Sequence, residues 1–211
     1  MSRPRLLDLF CGAGGAAMGY YRAGFEVVGI DNRPMLHYPF EFYQADALEY
    51  CAEHGREFDV IHASPPCQGY SKETPESYKT NHLKLIPELR ILLQSTNRCY
   101  VIENVEGARF ELDNPTMLCG SMFGLNLWRH RYFEIWPARL LLTPSCRHDY
   151  IPVLVTGTAF RNGIKRDASK REKVDAIGID WMTTCELDQA IPPAYTEWIG
   201  KQLMEHIYES I

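Results

Sequence analysis

Three short stretches of this 211-residue chain carry residue types suited to covalent chemistry. In Ala63-Ser64-Pro65-Pro66-Cys67-Gln68-Gly69-Tyr70-Ser71, a thiol follows two prolines. Their fixed backbone stiffens the approach to Cys67, and a stiff loop presenting one sulfur is what a nucleophile requires. Glu103-Asn104-Val105 closes a later apolar run and offers a carboxyl able to contact a ring nitrogen. Arg129-His130-Arg131 places two guanidiniums two residues apart, on one side of an extended segment. A fourth stretch, Asp8-Leu9-Phe10-Cys11-Gly12-Ala13-Gly14-Gly15, is the kind of glycine turn that lets a ligand approach the backbone closely. Asp31 lies about 20 residues beyond it, where an acid can accept hydrogen bonds from ribose hydroxyls. Asp46 stands where a carboxylate could receive an adenine amino group. A glycine turn alone does not separate a nicotinamide cofactor from S-adenosylmethionine.

The elements that must position these residues follow from patterning. Apolar runs at Arg5–Phe10, Glu26–Asp31, Phe42–Ala45, Val60–Ser64 and Cys99–Glu103 read as strands, and Tyr132–Trp136 as another. Ala16–Ala23, Leu83–Gln94 and Ala194–Tyr208 read as helices, the last begun by Pro192-Pro193. Strands alternating with helices predict an α/β, Rossmann-like fold, with a mostly parallel sheet covered on both faces. Ligands of such sheets sit beyond the carboxyl ends of the strands, where the glycine and cysteine loops fall. Phe110–Gly124 reads as irregular, and 138–181 as a short, irregular segment. Within that segment Arg161–Lys173 is rich in Lys and Arg, which suggests a mobile stretch that grips phosphates, with Lys165 and Arg166 as candidate contacts.

Composition narrows the classes further. The chain is 45% hydrophobic and 23% charged, which suits one globular domain, 1–211, rather than a disordered chain. A net charge of -5 is not the usual signature of a nucleic-acid binder, although a local basic face is compatible with it. The seven cysteines are odd in number and none is in CxxC spacing. Neither a disulfide framework nor a metal site is therefore expected, and a reducing cytoplasm is. No leader peptide and no membrane-spanning run are expected.

Taken together and in this order, the four motifs resemble those of the cytosine-C5 DNA methyltransferase family. The resemblance covers Leu6–Ile135 well, and Gln189–Gly200 loosely matches the family's last cofactor-site motif, so 189–209 is expected to return to that site. It implies an S-adenosylmethionine-dependent enzyme in which Cys67 adds to C6 of cytosine, Glu103 holds N3 and the exocyclic amine, and Arg131, with Arg129, orients the base. The cofactor would be held by Asp8, Phe10, Gly12, Gly14, Gly15, Asp31, Asp46 and Pro65. Pro66, Gln68, Asn104, Lys165 and Arg166 would contact substrate. The implied partner is duplex DNA with the target base flipped out, in a bacterial or phage-infected cell and a restriction-modification setting. The span from 138 to 180 is short for the family's recognition region. The target is then short or relaxed, or a protein partner supplies readout, or the substrate is not duplex DNA. An RNA cytosine methyltransferase and a catalytically silent nucleic-acid-binding protein on the same fold are the competing readings. A nicotinamide oxidoreductase would explain the glycine loop but not the cysteine loop.

Overall fold

The computed structural model describes residues 2–71, 84–137, 143–156, 159–161 and 164–209, with the backbone alone for 159–161 and 164–166. Seven strands form the main sheet: β1 (Arg5–Leu9), β2 (Glu26–Asp31), β3 (Glu41–Gln44), β4 (Val60–Ala63), β5 (Cys99–Asn104), β6 (Thr116–Leu118) and β7 (Arg131–Trp136). A separate hairpin pairs β8 (Ala159–Arg161) with β9 (Ile164–Arg166). The helices are α1 (Gly15–Ala23), α2 (Ala47–His54), α3 (Ile86–Thr96), α4 (Lys170–Ile177), α5 (Thr184–Gln189) and α6 (Pro193–Glu209). The strand order is β3-β2-β1-β4-β5-β7-β6; β1 to β5 pair in parallel and β7 runs antiparallel to both neighbours. The α/β expectation holds. No described residue belongs to a helix long and apolar enough to cross a membrane.

The order reverses between β1 and β4, and such a switch point opens a crevice at the strands' carboxyl ends. The glycine loop leaves β1 there and the cysteine loop leaves β4, so topology alone puts them side by side.

Strand alternation divides the interior in two. Leu7, Leu9, Ile61, Tyr100 and Ile102 point to the face covered by α2 and α3, where they meet Cys51, Leu89 and Leu93. Leu6, Val60, Val101 and Phe133 point to the face covered by α1 and α6, where they meet Tyr20, Tyr195 and Ile199. On that second face α1 presents small residues. A Cβ on Gly19 would lie 2.0 Å from Thr196 Oγ1 and 2.2 Å from the Pro193 carbonyl oxygen. Only glycine allows this approach, and the Thr196 hydroxyl uses it to donate to the Ala16 carbonyl at 2.8 Å.

Two expectations about irregular segments are corrected. Thr116–Leu118 is a strand, too short for periodicity to show; it is built by pairing with β7. The 138–181 segment contains the β8–β9 hairpin and α4, which Ser169 and Glu172 start with a reciprocal capping box. That helix also revises the basic-segment expectation. Lys173 is buried and paired with Asp188, which takes it away from phosphate, whereas Arg171 pairs with Asp175 at 3.0 Å on the exposed face of the helix. The side chains of Lys165 and Arg166 lie outside the described residues.

Candidate active site

Glu103, the penultimate residue of β5, lies on the α1/α6 face and is buried. Its Oε1 lies 3.1 Å from Arg131 Nε. Burial pushes the Glu103 carboxyl above its ordinary value; Arg131, a hydrogen bond with Ser64, and Arg129 pull it back without cancelling the shift. Ser64 is the last link of a buried line. Tyr20 Oη lies 3.0 Å from His62 Nδ1, and His62 Nε2 lies 2.9 Å from Ser64 Oγ. Burial lowers the His62 pKa to about 3, so the ring is neutral at pH 7. The line is satisfied when Tyr20 donates to Nδ1 and Nε2–H donates to Ser64, which leaves the serine proton for Glu103. His62 and Tyr20 were not anticipated from sequence; a lone histidine inside the apolar run of β4 was the available signal.

Cys67 is half-buried in the loop that leaves β4. Its carbonyl accepts from the Tyr70 and Ser71 amides at 2.9 and 2.8 Å, which closes the loop into a tight turn. Burial and then the Glu103 charge raise the thiol pKa; Arg131 and Arg129 oppose them. The thiol therefore keeps its proton until attack. Pro65 is buried, whereas Pro66 and Gln68 are exposed.

Asn104, expected to contact substrate, does not face the crevice opening. It is buried, donates to the Pro65 carbonyl at 3.0 Å and accepts from the Val105 amide at 2.9 Å. Strand alternation turns it to the opposite face from Glu103, so it positions the cysteine loop. Arg129 is also a positioning residue. It is buried, donates to the Asp188 carbonyl at 2.6 Å, and its own carbonyl accepts from the Tyr195 hydroxyl at 2.6 Å. Burial and neighbouring Arg131 pull its pKa down to about 9.

The glycine loop is held from three sides. Gly12 and Gly14 adopt φ of +50° and +83°, and Phe10 also turns through the left-handed region at 56°. The Gly12 amide donates to Asp31 Oδ2 at 3.2 Å. The Trp181 indole donates to the Ala13 carbonyl at 3.0 Å, and a Cβ on Gly15 would lie 2.6 Å from the Ile191 carbonyl oxygen. The chain after 180 thus closes on the glycine loop. Asp8 lies beneath the loop, buried, with Tyr38 Oη 3.5 Å from its Oδ2. Burial, opposed by the Tyr38 hydrogen bond and reinforced by Asp31, holds its carboxyl well above the usual range. Asp46 serves partly as a cap: its Oδ1 accepts from the Leu48 and Glu49 amides at the start of α2, leaving Oδ2 for other contacts.

These acids test the choice of cofactor. Asp8 Oδ1 is buried without a hydrogen-bond partner among the described residues, and a Cβ on Gly12 would meet nothing within 4 Å. An unpartnered buried carboxyl oxygen beside open backbone suits a ligand that brings hydroxyl and amino donors to the loop. S-adenosylmethionine fits that description.

Sequence spacing argued against a metal site, yet the fold brings four side chains of metal-binding type together. Cys119, His130, Cys146 and His148 are distant in the chain, yet their ligand atoms all lie within 4.8 Å of one another. Spacing rules detect ligands supplied by one or two tight turns, and these come from three separate segments.

The strand order and the loops at its switch point define the fold as Rossmann-like. Comparison agrees: the structure of the Entamoeba histolytica methyltransferase EhMeth superposes with a TM-score of 0.65 over 98% of this chain and 99% of that one, at 12% identity. The profile of the C-5 cytosine-specific DNA methylase family matches residues 4–116, more than half of the chain, and the protein belongs to that family. The type II methyltransferase M.HgiGI of Herpetosiphon aurantiacus is 30% identical over 119 residues, half of this chain and 93% of the relative. M.XorII of Xanthomonas oryzae pv. oryzae is 29% identical over 124 residues, 51% of this chain but 29% of the relative. With M.XorII and four further type II relatives, the matched stretch spans 29–49% of their length.

Proposed function

We propose that the protein methylates C5 of cytosine in DNA, using S-adenosylmethionine and a covalent Cys67–C6 adduct. The observation that carries this reading is the meeting of Cys67, Glu103 and Arg131 on the crevice that also receives the glycine loop. Cytosine C5 is a poor nucleophile until sulfur adds to C6. As the Cys67 thiol loses its proton to solvent, its sulfur attacks C6, while Glu103, whose proton affinity burial raises, donates to N3 and accepts from the exocyclic amine. The charge that develops on the ring is met by this preorganised donor, and Arg131 keeps it in place. S-adenosylmethionine, when bound by Asp8, the Phe10–Gly15 loop, Asp31 and Asp46, supplies an electrophilic methyl group. C5 of the adduct takes that methyl. Solvent water then takes the C5 proton, the C6–S bond breaks to release Cys67 as thiolate, and the N3 proton returns to Glu103.

The test is to incubate the protein with labelled S-adenosylmethionine and duplex DNA, single-stranded DNA or RNA. Label should enter cytosine of duplex DNA, and an oligonucleotide carrying 5-fluorocytosine should trap the protein covalently. Cys67→Ala should reduce transfer to background and abolish trapping. Transfer that survives this substitution refutes the adduct; transfer to RNA alone reassigns the substrate.

A further inference from the structure

The Cys119, His130, Cys146 and His148 group is not used by the chemistry above. Cys119 follows β6, His130 precedes β7, and Cys146 and His148 lie in the stretch 143–150, which has no helix or strand. Sγ of Cys119 is 3.4 Å from His148 Nε2, Sγ of Cys146 is 3.0 Å from the same nitrogen, and His130 Nε2 is 3.5 Å from Cys146 Sγ. A tetrahedral zinc ion bonded at about 2.3 Å to sulfur and about 2.0 Å to nitrogen sets its ligand atoms about 3.3–3.8 Å apart. Two thiols and two imidazoles are a donor set that selects zinc over the harder cations. Both cysteines are free thiols.

Two further observations point the same way. Ser121 Oγ lies 3.3 Å from Cys119 Sγ and 3.6 Å from Cys146 Sγ while accepting the Arg147 amide at 3.0 Å, so a hydroxyl is fixed between the two sulfurs. Such outer contacts orient ligands and favour thiolate. Residues 143–150 contribute nothing to the three buried apolar clusters. Beyond the Arg147 amide bond to Ser121, their anchors include stacks of His148 on Trp128 at 4.3 Å and on His130 at 5.1 Å, an edge contact of Tyr150 on Trp128, and a Tyr150 hydrogen bond to the Leu125 carbonyl. A stretch with so little core is where a metal can supply the missing folding energy.

We propose that these four side chains bind one zinc ion in a closed, structural Cys2His2 site. Binding displaces the two thiol protons and takes both imidazoles in their neutral form. Four protein ligands leave no position open for water or substrate, so the ion takes no part in methyl transfer. It clamps 143–150 onto the start of β7. His130 is flanked by Arg129 and Arg131, so the clamp fixes from one side the strand whose other side presents the arginines to Glu103.

Full-length protein purified without chelator, and assayed by elemental mass spectrometry, should carry one zinc per chain. Stripped protein titrated with Co2+ should develop the ligand-field and thiolate charge-transfer bands of a tetrahedral S2N2 centre, saturating at one equivalent. Its melting temperature should rise when zinc is returned. His148→Ala and Cys146→Ser alter an exposed and a half-buried side chain. Each should lose the cobalt spectrum and the zinc-dependent stabilisation. Wild-type protein that retains no zinc and gives no cobalt bands overturns the proposal, whatever the variants do. So does a spectrum that persists in both variants, or a Cys119–Cys146 disulfide found by mass spectrometry in protein purified without reductant. None of these readouts depends on methyl transfer, so the outcome is independent of the proposed reaction.

Discussion

The two faces of the central sheet both bury charge, but they treat it differently. On the α2/α3 face, Glu134 is saturated. It receives Arg90 Nε at 2.8 Å, Arg90 Nη2 at 2.7 Å, the Asp113 amide at 2.9 Å and the Tyr100 hydroxyl at 3.3 Å. On the α1/α6 face, Asp8 Oδ1, Glu103 Oε1 and Arg129 Nε are buried with no hydrogen-bond partner among the described residues. Glu103 Oε1 sits near Arg131 as an ion pair without accepting a hydrogen bond from it. A buried polar group left unpaired costs about 1–3 kcal/mol, so a fold retains several on one face only where something else rewards them. The comparison separates polar groups that hold the protein together from polar groups kept for a ligand.

The largest effect should come from the saturated face. Arg90→Met strands the Glu134 carboxylate in the core and should cost about 3–5 kcal/mol in urea unfolding, with methyl transfer per folded molecule unchanged. A loss under about 1 kcal/mol would erase the distinction between the faces. Next comes Glu103→Gln, which should lower turnover about 10²–10³-fold, the usual cost of removing one preorganised donor. Stability and S-adenosylmethionine affinity should be unaltered, as read by urea midpoint and calorimetry; a matching loss of cofactor affinity would place Glu103 in the wrong pocket.

His62 gives a smaller, pH-dependent signal. Its pKa is about 3 in the folded chain against an ordinary value of 6.5, so between those values the unfolded chain binds a proton that the folded chain refuses. Stability from this group is complete above pH 6.5 and is lost as pH falls, at about 1.4 kcal/mol per pH unit. Asp8 and Glu103, whose carboxyls are raised, contribute with the opposite sign. The His62 share is therefore the difference between wild type and His62→Gln across pH 6.5 to 3, and parallel stability curves for the two would contradict it. The smallest effect concerns substrate grip. If Lys165 and Arg166 contact phosphates, replacing each with alanine should reduce the salt slope of DNA binding by about one. An unchanged slope would leave the basic stretch without that role.

Most of the sheet was legible because buried parallel strands read as unbroken apolar runs and each ends in a loop with its own residue signature. β1, β2, β4 and β5 all lie within a residue or two of their expected bounds. Legibility fell where partners rather than periodicity make the structure. Three-residue β6 exists through its pairing with β7, and α4 carries Lys and Arg on a helix short enough to pass for a basic loop. Among the site residues, Asn104 shows the limit most clearly. The sequence places it beside Glu103, but alternation across the strand sends the two side chains to opposite faces.

The sequence by itself determined the residue types available for chemistry, their order, and the sheet that carries them, because these depend on local patterning and on loops a few residues long. Tertiary structure alone decided which polar groups are satisfied and which are left waiting. It also decided that Tyr20, His62 and Ser64 form a line to Glu103, and that two cysteines and two histidines from three segments converge on one point. The reason is physical: hydrogen bonds, desolvation and ligand geometry act over a few ångströms of space, whatever the distance along the chain.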